Sequence, residues 1–400
     1  TTLSFGNQNL KTASAAQSIT LTNSGTAALN ITSIVASAQY AQTNTCGASV
    51  AAGGNCSISV TFTPTATGSQ PGTITVTDNA TGNPQTVALS GTGVAAGVSL
   101  SPTSLVFAGQ LINTTSAAQT ITLTNTGTSV LNITSITPSG DYAQTNSCGI
   151  SVAAGANCAI NVTFTPTATG TRTGAITVVD DAAGSPQSVT LSGTGTAPVV
   201  SLSATSLSFG SHLVNTTSVA KSVTLRNTGT ASLSITSIVS SGQFAQTNNC
   251  GITVAAGGSC TISVTFTPTT AGLQTGAITI SDSAANSPQT ITLSGTGTIP
   301  IVSLSTTSLT FASQTVGTTS AAQTVTMTNT GTAALKSIVI TASGPFSRTD
   351  TCKSSLAIGS SCQISVTFTP TAIGTQAGAI TITDTAADSP QTINLTGTGM

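Results

Sequence analysis

The sequence predicts an all-β protein built from four tandem β-sandwich domains, and three observations carry that prediction. A two-cysteine segment returns four times in one phase. Apolar and polar residues alternate with period two through most of each repeat, the mark of half-buried strands. Turn residues punctuate the alternation every 8–12 residues or so, and no stretch has helical periodicity.

The repeat is strict. "CGASVAAGGNCSISVTFTPTATG", from Cys46, returns from Cys148, Cys250 and, in looser form, Cys352, each 102 residues after the last. Gly91, Gly193, Gly295 and Gly397 of the "GTG" motifs keep the same interval. That period is too long for a solenoid unit and fits an autonomous domain with its own core. The 400 residues divide into domains at 1–94, 95–196, 197–298 and 299–400.

Within the first repeat the elements follow in order. A leading "LSFG" supplies Phe5. "SITLTNSG" turns Ile19 and Leu21 inward, Thr20 and Thr22 outward, and closes on a glycine turn. "LNITSIV" follows. "CSISVTFTP" places Cys56, Ile58, Val60 and Phe62 on one face, and Pro64, with no N–H for a ladder, ends it. "GTITVTD" buries Ile74 and Val76, and "QTVALSGTG" buries Val87 and Leu89. Around seven such strands per hundred residues read as an immunoglobulin-like sandwich.

Each domain carries one Cys-x9-Cys pair, and no cysteine is left over. The expected disulfides are Cys46–Cys56, Cys148–Cys158, Cys250–Cys260 and Cys352–Cys362, implying an oxidising, extracytoplasmic setting. The competing reading is metal, but zinc wants four Cys or His ligands and the chain has one His.

The segments "LSFGS", "VNTTSVAKSVTLRNTGTASLSITSI", "FAQTNNCG", "SCTISVTFTPTTAG" and "SPQTITLSGTGT" together resemble the bacterial choice-of-anchor D repeats. These are relatives of the ASPM–SPD-2–Hydin immunoglobulin-like domains. The resemblance covers essentially the whole chain. It implies a secreted or surface-attached bacterial protein in which such domains serve as structural or adhesive modules. It implies no single activity.

Composition narrows the function classes. The chain has 7 Lys and Arg, 8 acidic residues that are all Asp, and no Trp. A net charge of −1 offers no basic stripe for phosphates, so nucleic acid is not an expected partner. No apolar run reaches the roughly 18 residues of a membrane helix. Without Glu, and with His212 as the one histidine, acid–base or nucleophilic catalysis has almost no parts, so no enzyme and no cofactor are expected. His212 stands where other repeats have Gln8, Gln110 and Gln314, as one variant of a polar loop residue.

Other recurring residues have structural readings beside functional ones. Asp78, Asp180, Asp282 and Asp384 recur before Pro84, Pro186, Pro288 and Pro390. Calcium would need several carboxylates per site, so an Asx turn is expected; Asp180–Asp181 is the one pair to test. Tyr40, Tyr142, Phe244 and Phe346 could stack on sugars if exposed, but in a chain this poor in aromatics they are expected inside. Lys11, Lys221, Lys336 and Lys353 do not recur at the period, which removes the isopeptide device of some surface rods. Asn30, Asn113 and Asn132 sit in sequons, and the dense outward Ser and Thr would accept glycans.

In the fourth domain Ser337 takes the Ile31-type core position and Ile338 the Thr32-type one, so local facing is expected to change there. Lys336, Arg348 and Lys353 give that end an unusual basic density, marking a contact surface. Short connectors, two of them stiffened by Pro198 and Pro300, predict a semi-rigid rod of about 150 Å.

Thr1 aligns with Thr103, Thr205 and Thr307, so the first repeat lacks the "VSLS"-type lead-in of the others. The chain reads as a mature product or a window from a longer array. An incomplete sandwich would recruit a partner, and a head-to-tail homopolymer is the expected assembly. The leading functional expectation is a self-associating extracellular fibre or cell-surface stalk. The alternative is a spacer from a larger secreted adhesin or enzyme.

Overall fold

A computed structural model describes all residues, Thr1–Met400. The protein is all-β, a run of strands with no helix, and four separate hydrophobic cores divide it. Two compact units hold them. Thr1–Thr196 carries the first two sandwiches and Ala197–Met400 the other two.

The second domain shows the complete pattern. One sheet has four strands in the order Val98–Ser101, Gln119–Asn125, Asn157–Phe164 and Tyr142–Asn146. The facing sheet has five: Ser104–Leu111, Gln187–Thr196, Gly170–Asp180, Leu131–Pro138 and Ser151–Val152. Counting the two-residue segment, that is nine strands where the pattern of turns suggested about seven. The reason is that "VSLSPTSLVF" makes two strands, one for each sheet. Ser104–Leu111 runs parallel to Gln187–Thr196, whereas the other pairings in the domain are antiparallel.

Alternation places the core as anticipated. Along Asn55–Phe62 each of Cys56, Ile58, Val60 and Phe62 is buried and its neighbours are not, and the three later copies repeat this. Leu123 lies opposite Cys158 and Ile121 opposite Ile160, so the same face of two strands fills the interior.

The first domain differs in one respect. Its smaller sheet has three strands, Gln17–Thr22, Asn55–Phe62 and Tyr40–Asn44, with no counterpart of Val98–Ser101. Ile121, Leu123 and Leu131 are 0% exposed in the second domain, but Ile19, Leu21 and Leu29 are only half-buried. The expectation that Ile19 and Leu21 face inward holds, since both pack against the core of this domain while only half-buried.

The fourth domain also departs locally. Its strand breaks between Leu335–Lys336 and Val339–Ala342. Ser337 turns through φ 54° and is exposed, which brings Ile338 against the core in the place of Ile31. A polar residue at a core position has thus been accommodated by a left-handed turn rather than by burying a hydroxyl.

Candidate functional site

Four disulfides join Cys46 to Cys56, Cys148 to Cys158, Cys250 to Cys260 and Cys352 to Cys362, and no cysteine is free. Each ties the end of a short edge strand to the start of the central one. Before each first cysteine, an Asn or Asp side chain accepts its backbone N–H at 3.1 Å, holding the turn that presents the sulfur.

The recurring aromatics lie inside. Tyr142 is 6% exposed and stacks on Phe164 at 5.0 Å, while Phe107 covers both rings. Its hydroxyl donates to Arg172 O at 2.9 Å, and the Tyr40 hydroxyl donates to Gln70 O at 2.6 Å. Burial raises both phenols above their ordinary range. These rings plug the sandwich and leave no face for a sugar.

His212 sits at the end of its strand with Nε2 3.1 Å from Phe209 O, its ring edge-on to Phe266. Gln8, Gln110 and Gln314 donate from the same position to Thr12, Thr114 and Thr318. The site is a polar brace in all four domains.

Each recurrent aspartate makes an Asx turn: Asp180 Oδ1 accepts from Ala182 N–H at 2.8 Å, and Asp78, Asp282 and Asp384 repeat the contact. Asp181 does a separate job, accepting from Asn132 N–H at 2.9 Å, as Asn79, Ser283 and Thr385 do elsewhere. The Asp180–Asp181 pair is therefore not brought together as a ligand set. No group of three or more His, Cys, Asp or Glu side chains converges.

Burial raises the Asp180, Asp282 and Asp384 carboxyls. Asp282 Oδ2 and the nearby Gln289 Oε1 are buried acceptors without a donor, and a proton on the carboxyl would serve both. The sign follows from linkage. A carboxyl raised on folding contributes stability below its ordinary value of 3.8 and loses it as pH rises through the raised value. Asp282→Asn keeps the Oδ1 acceptor and adds that donor. The variant is expected to melt higher than the parent at pH 7 and equally at pH 3. Calorimetry at the two pH values checks this, and a lower melting temperature at pH 7 would contradict it.

Charge plays a small part. Arg172 pairs with Asp141 at 2.5 Å and holds that carboxyl below its ordinary range, and Arg348 pairs with Asp350. Arg348 is therefore partnered within its own domain. Beyond the strand ends, neutral pairs such as Thr115–Thr165, Thr217–Thr267 and Thr319–Thr369, 2.9–3.0 Å between hydroxyls, tie two loops together in three of the domains.

Sequence reasoning passed over Asn23, Asn125, Asn227 and Asn329. Asn125 is 0% exposed; its Nδ2 donates to Ser129 O and Val152 O, and its Oδ1 accepts from Gly127 N–H. Recurrence at the end of each "LTN"-type strand was the one signal, but a polar residue there reads as a turn until its burial is known.

The same asparagine borders a groove in the first domain. About 610 Å³ in volume, it is floored by Ile19, Leu21, Leu29, Ile58, Val76 and Val87, with Asn23 and Gly25 at one end. It opens where the smaller sheet has one strand fewer than its counterparts.

Comparison with known proteins agrees with this architecture. The family model described as Cep192 domain 4 matches residues 197–298 and again 299–400. The model for abnormal spindle-like microcephaly-associated, ASPM-SPD-2-Hydin domains matches residues 1–86, and the HYDIN/CFA65/VesB-like Ig-like domain matches 98–194. No curated protein matches. Among solved structures, the ASH/PapD-like domain 7 of human CEP192 is 16% identical, covering 25% of this chain and 86% of its own, with a TM-score of 0.21. A protein of unknown function from Porphyromonas gingivalis W83 is 14% identical over 50% of this chain and 99% of its own, at 0.23. The Escherichia coli adhesin FdeC is 15% identical over 75% of this chain and 96% of its own, at 0.24.

Proposed function

This chain belongs to the Cep192 domain 4 family, and on that premise we propose that it is an extracellular structural protein of the bacterial choice-of-anchor D kind, a self-associating fibre subunit or cell-surface stalk. One observation carries the reading. Each sandwich has its own core and its own disulfide, and no copy gathers reactive side chains that the others lack. Length and durability are what repetition of such a unit supplies. The disulfides suit an oxidising exterior, and no helix is long and apolar enough to cross a membrane. The neutral Ser and Thr faces lack the charges that normally keep sheets apart, and this supports contact between copies, with glycans as a second occupant of those hydroxyls.

The test is light scattering and electron microscopy of the purified chain. Species heavier than the 38.8 kDa monomer and visible filaments are the expected result. A monomer that stays dispersed at high concentration overturns self-assembly and leaves the spacer reading in its place.

A further inference from the structure

We propose that the disulfide of the fourth domain is a thiol-exchange site, opened at Cys352 by an anionic low-molecular-mass thiol. The inference goes beyond the fibre reading, because it concerns chemistry at one bridge. All four copies carry the cysteine pair; access and charge set the fourth apart.

Access differs first. Cys46, Cys148 and Cys250 are 4–5% exposed, whereas Cys352 is only half-buried and its partner Cys362 stays at 7%. The cause lies in the neighbouring strands. Gln42, Gln144 and Gln246 donate across to the carbonyls of Ile34, Ile136 and Ile238 at 2.8–3.0 Å, tying the edge strand of one sheet to a strand of the other. Arg348 holds that position in the fourth domain and pairs with Asp350 instead. The strand beside it breaks at Ser337. A cavity of about 200 Å³ lies there, lined by Ile338, Val339, Ile340, Arg348, Asp350 and Cys352. Cys352 thus borders an opening that a glutamine spans in the other domains.

Charge differs as well. Gly47, Gly149 and Gly251 follow the first cysteine at φ 62–65°, and Lys353 takes their place. Lys336 stands opposite Ser355 on the paired strand, and both lysines are exposed. With Arg348, three of the chain's 7 Lys and Arg gather around this loop, where the equivalent positions of the other domains hold only Asn, Ser, Gln and Gly. One carboxylate opposes them. Asp350 accepts the Cys352 N–H at 3.1 Å and is itself paired with Arg348. A partly open sulfur in electropositive surroundings is the kind that thiolates attack, and the cations raise the local concentration of an anionic one.

The step balances without an oxidant. The incoming thiolate sulfur bonds to Cys352 Sγ, the Cys352–Cys362 bond breaks, and its electron pair leaves on Cys362 Sγ, which takes a proton from water. Cys352 is left in a mixed disulfide with the small thiol, and Cys362 becomes a free thiol. Attack at Cys352 rather than Cys362 follows from their burial.

The probe is reduced glutathione, added to the folded full chain, with samples quenched in acid and mapped as peptides without reduction. The expected first product is a glutathione adduct on Cys352 with Cys362 free, formed about tenfold or more faster than any other bridge opens. Amides of Ser361–Phe368 are expected to keep their hydrogen-exchange protection while it forms. Lys336→Asn combined with Lys353→Gly restores residues found in the other repeats. That variant is expected to react with glutathione about threefold or more slowly, and with neutral mercaptoethanol at the parent's rate. Four bridges opening at equal rates, a first adduct on Cys362, or an adduct that forms only as protection is lost overturns the proposal. So does a double variant that reacts with glutathione as fast as the parent. Filament formation enters none of these readouts, so the two proposals fail separately.

Discussion

Phe266→Ala is expected to lower the stability of the third domain by about 3–5 kcal/mol, the cost of a large cavity in a closed core. Phe266 is 0% exposed and stacks on Phe244 at 4.8 Å, with Phe209 tilted over it at 6.0 Å. The other side of the ring lies against Gly295, where a Cβ would come within 2.5 Å of Cε1. Gly295 sits in the middle of Gln289–Thr298, held by Gln274 on the neighbouring strand, so the backbone cannot settle into the space the ring leaves. Poor collapse places the cost towards the upper end of the range. For a domain of about 100 residues this corresponds to a fall in melting temperature of roughly 12–40 °C. Calorimetry of the whole chain reads it as one component of four moving down. A shift of only a few degrees would mean that the sandwich repacks around the loss.

Removal of the third disulfide, as Cys250→Ala with Cys260→Ala, is expected to cost that domain about 2–3 kcal/mol. The bridge closes a loop of 10 residues' separation, and the chain-entropy account assigns its stabilisation to the unfolded state. Both sulfurs are buried, so some packing goes with them. The experiment has an internal control. Adding a reductant should lower the three bridged domains of the variant and leave its third domain where it was. A third domain that falls further on reduction would contradict the assignment of its stability loss to this bridge.

Much of the fold is legible in the sequence, and particular residues show why. Cys56, Ile58, Val60 and Phe62 announce one face of a strand because side-chain direction in a strand depends only on sequence parity. Ser337 announces a change of facing because it breaks that parity against three aligned copies, and its exposure at φ 54° is the outcome. The Asx turns at Asp78 and its equivalents lie two residues from their partners, within reach of local reasoning. The buried role of Asn125 and its equivalents is not, because the carbonyl of Val152 that it meets lies on a distant segment.

The covalent order alone determined the number of domains, their phase and the inward or outward sense of each strand residue, since these are periodic and local. Tertiary structure decided the relations between distant segments. Ser104–Leu111 pairs in parallel with a strand more than eighty residues on, and nothing in either stretch selects that direction. Asn125 is a core residue because the carbonyls of Ser129 and Val152 reach it together. Ile19 and Ile121 sit in nearly the same local sequence, yet one is half-exposed and the other is sealed. Burial is a property of what lies across from a residue, and the residue's own strand does not state it.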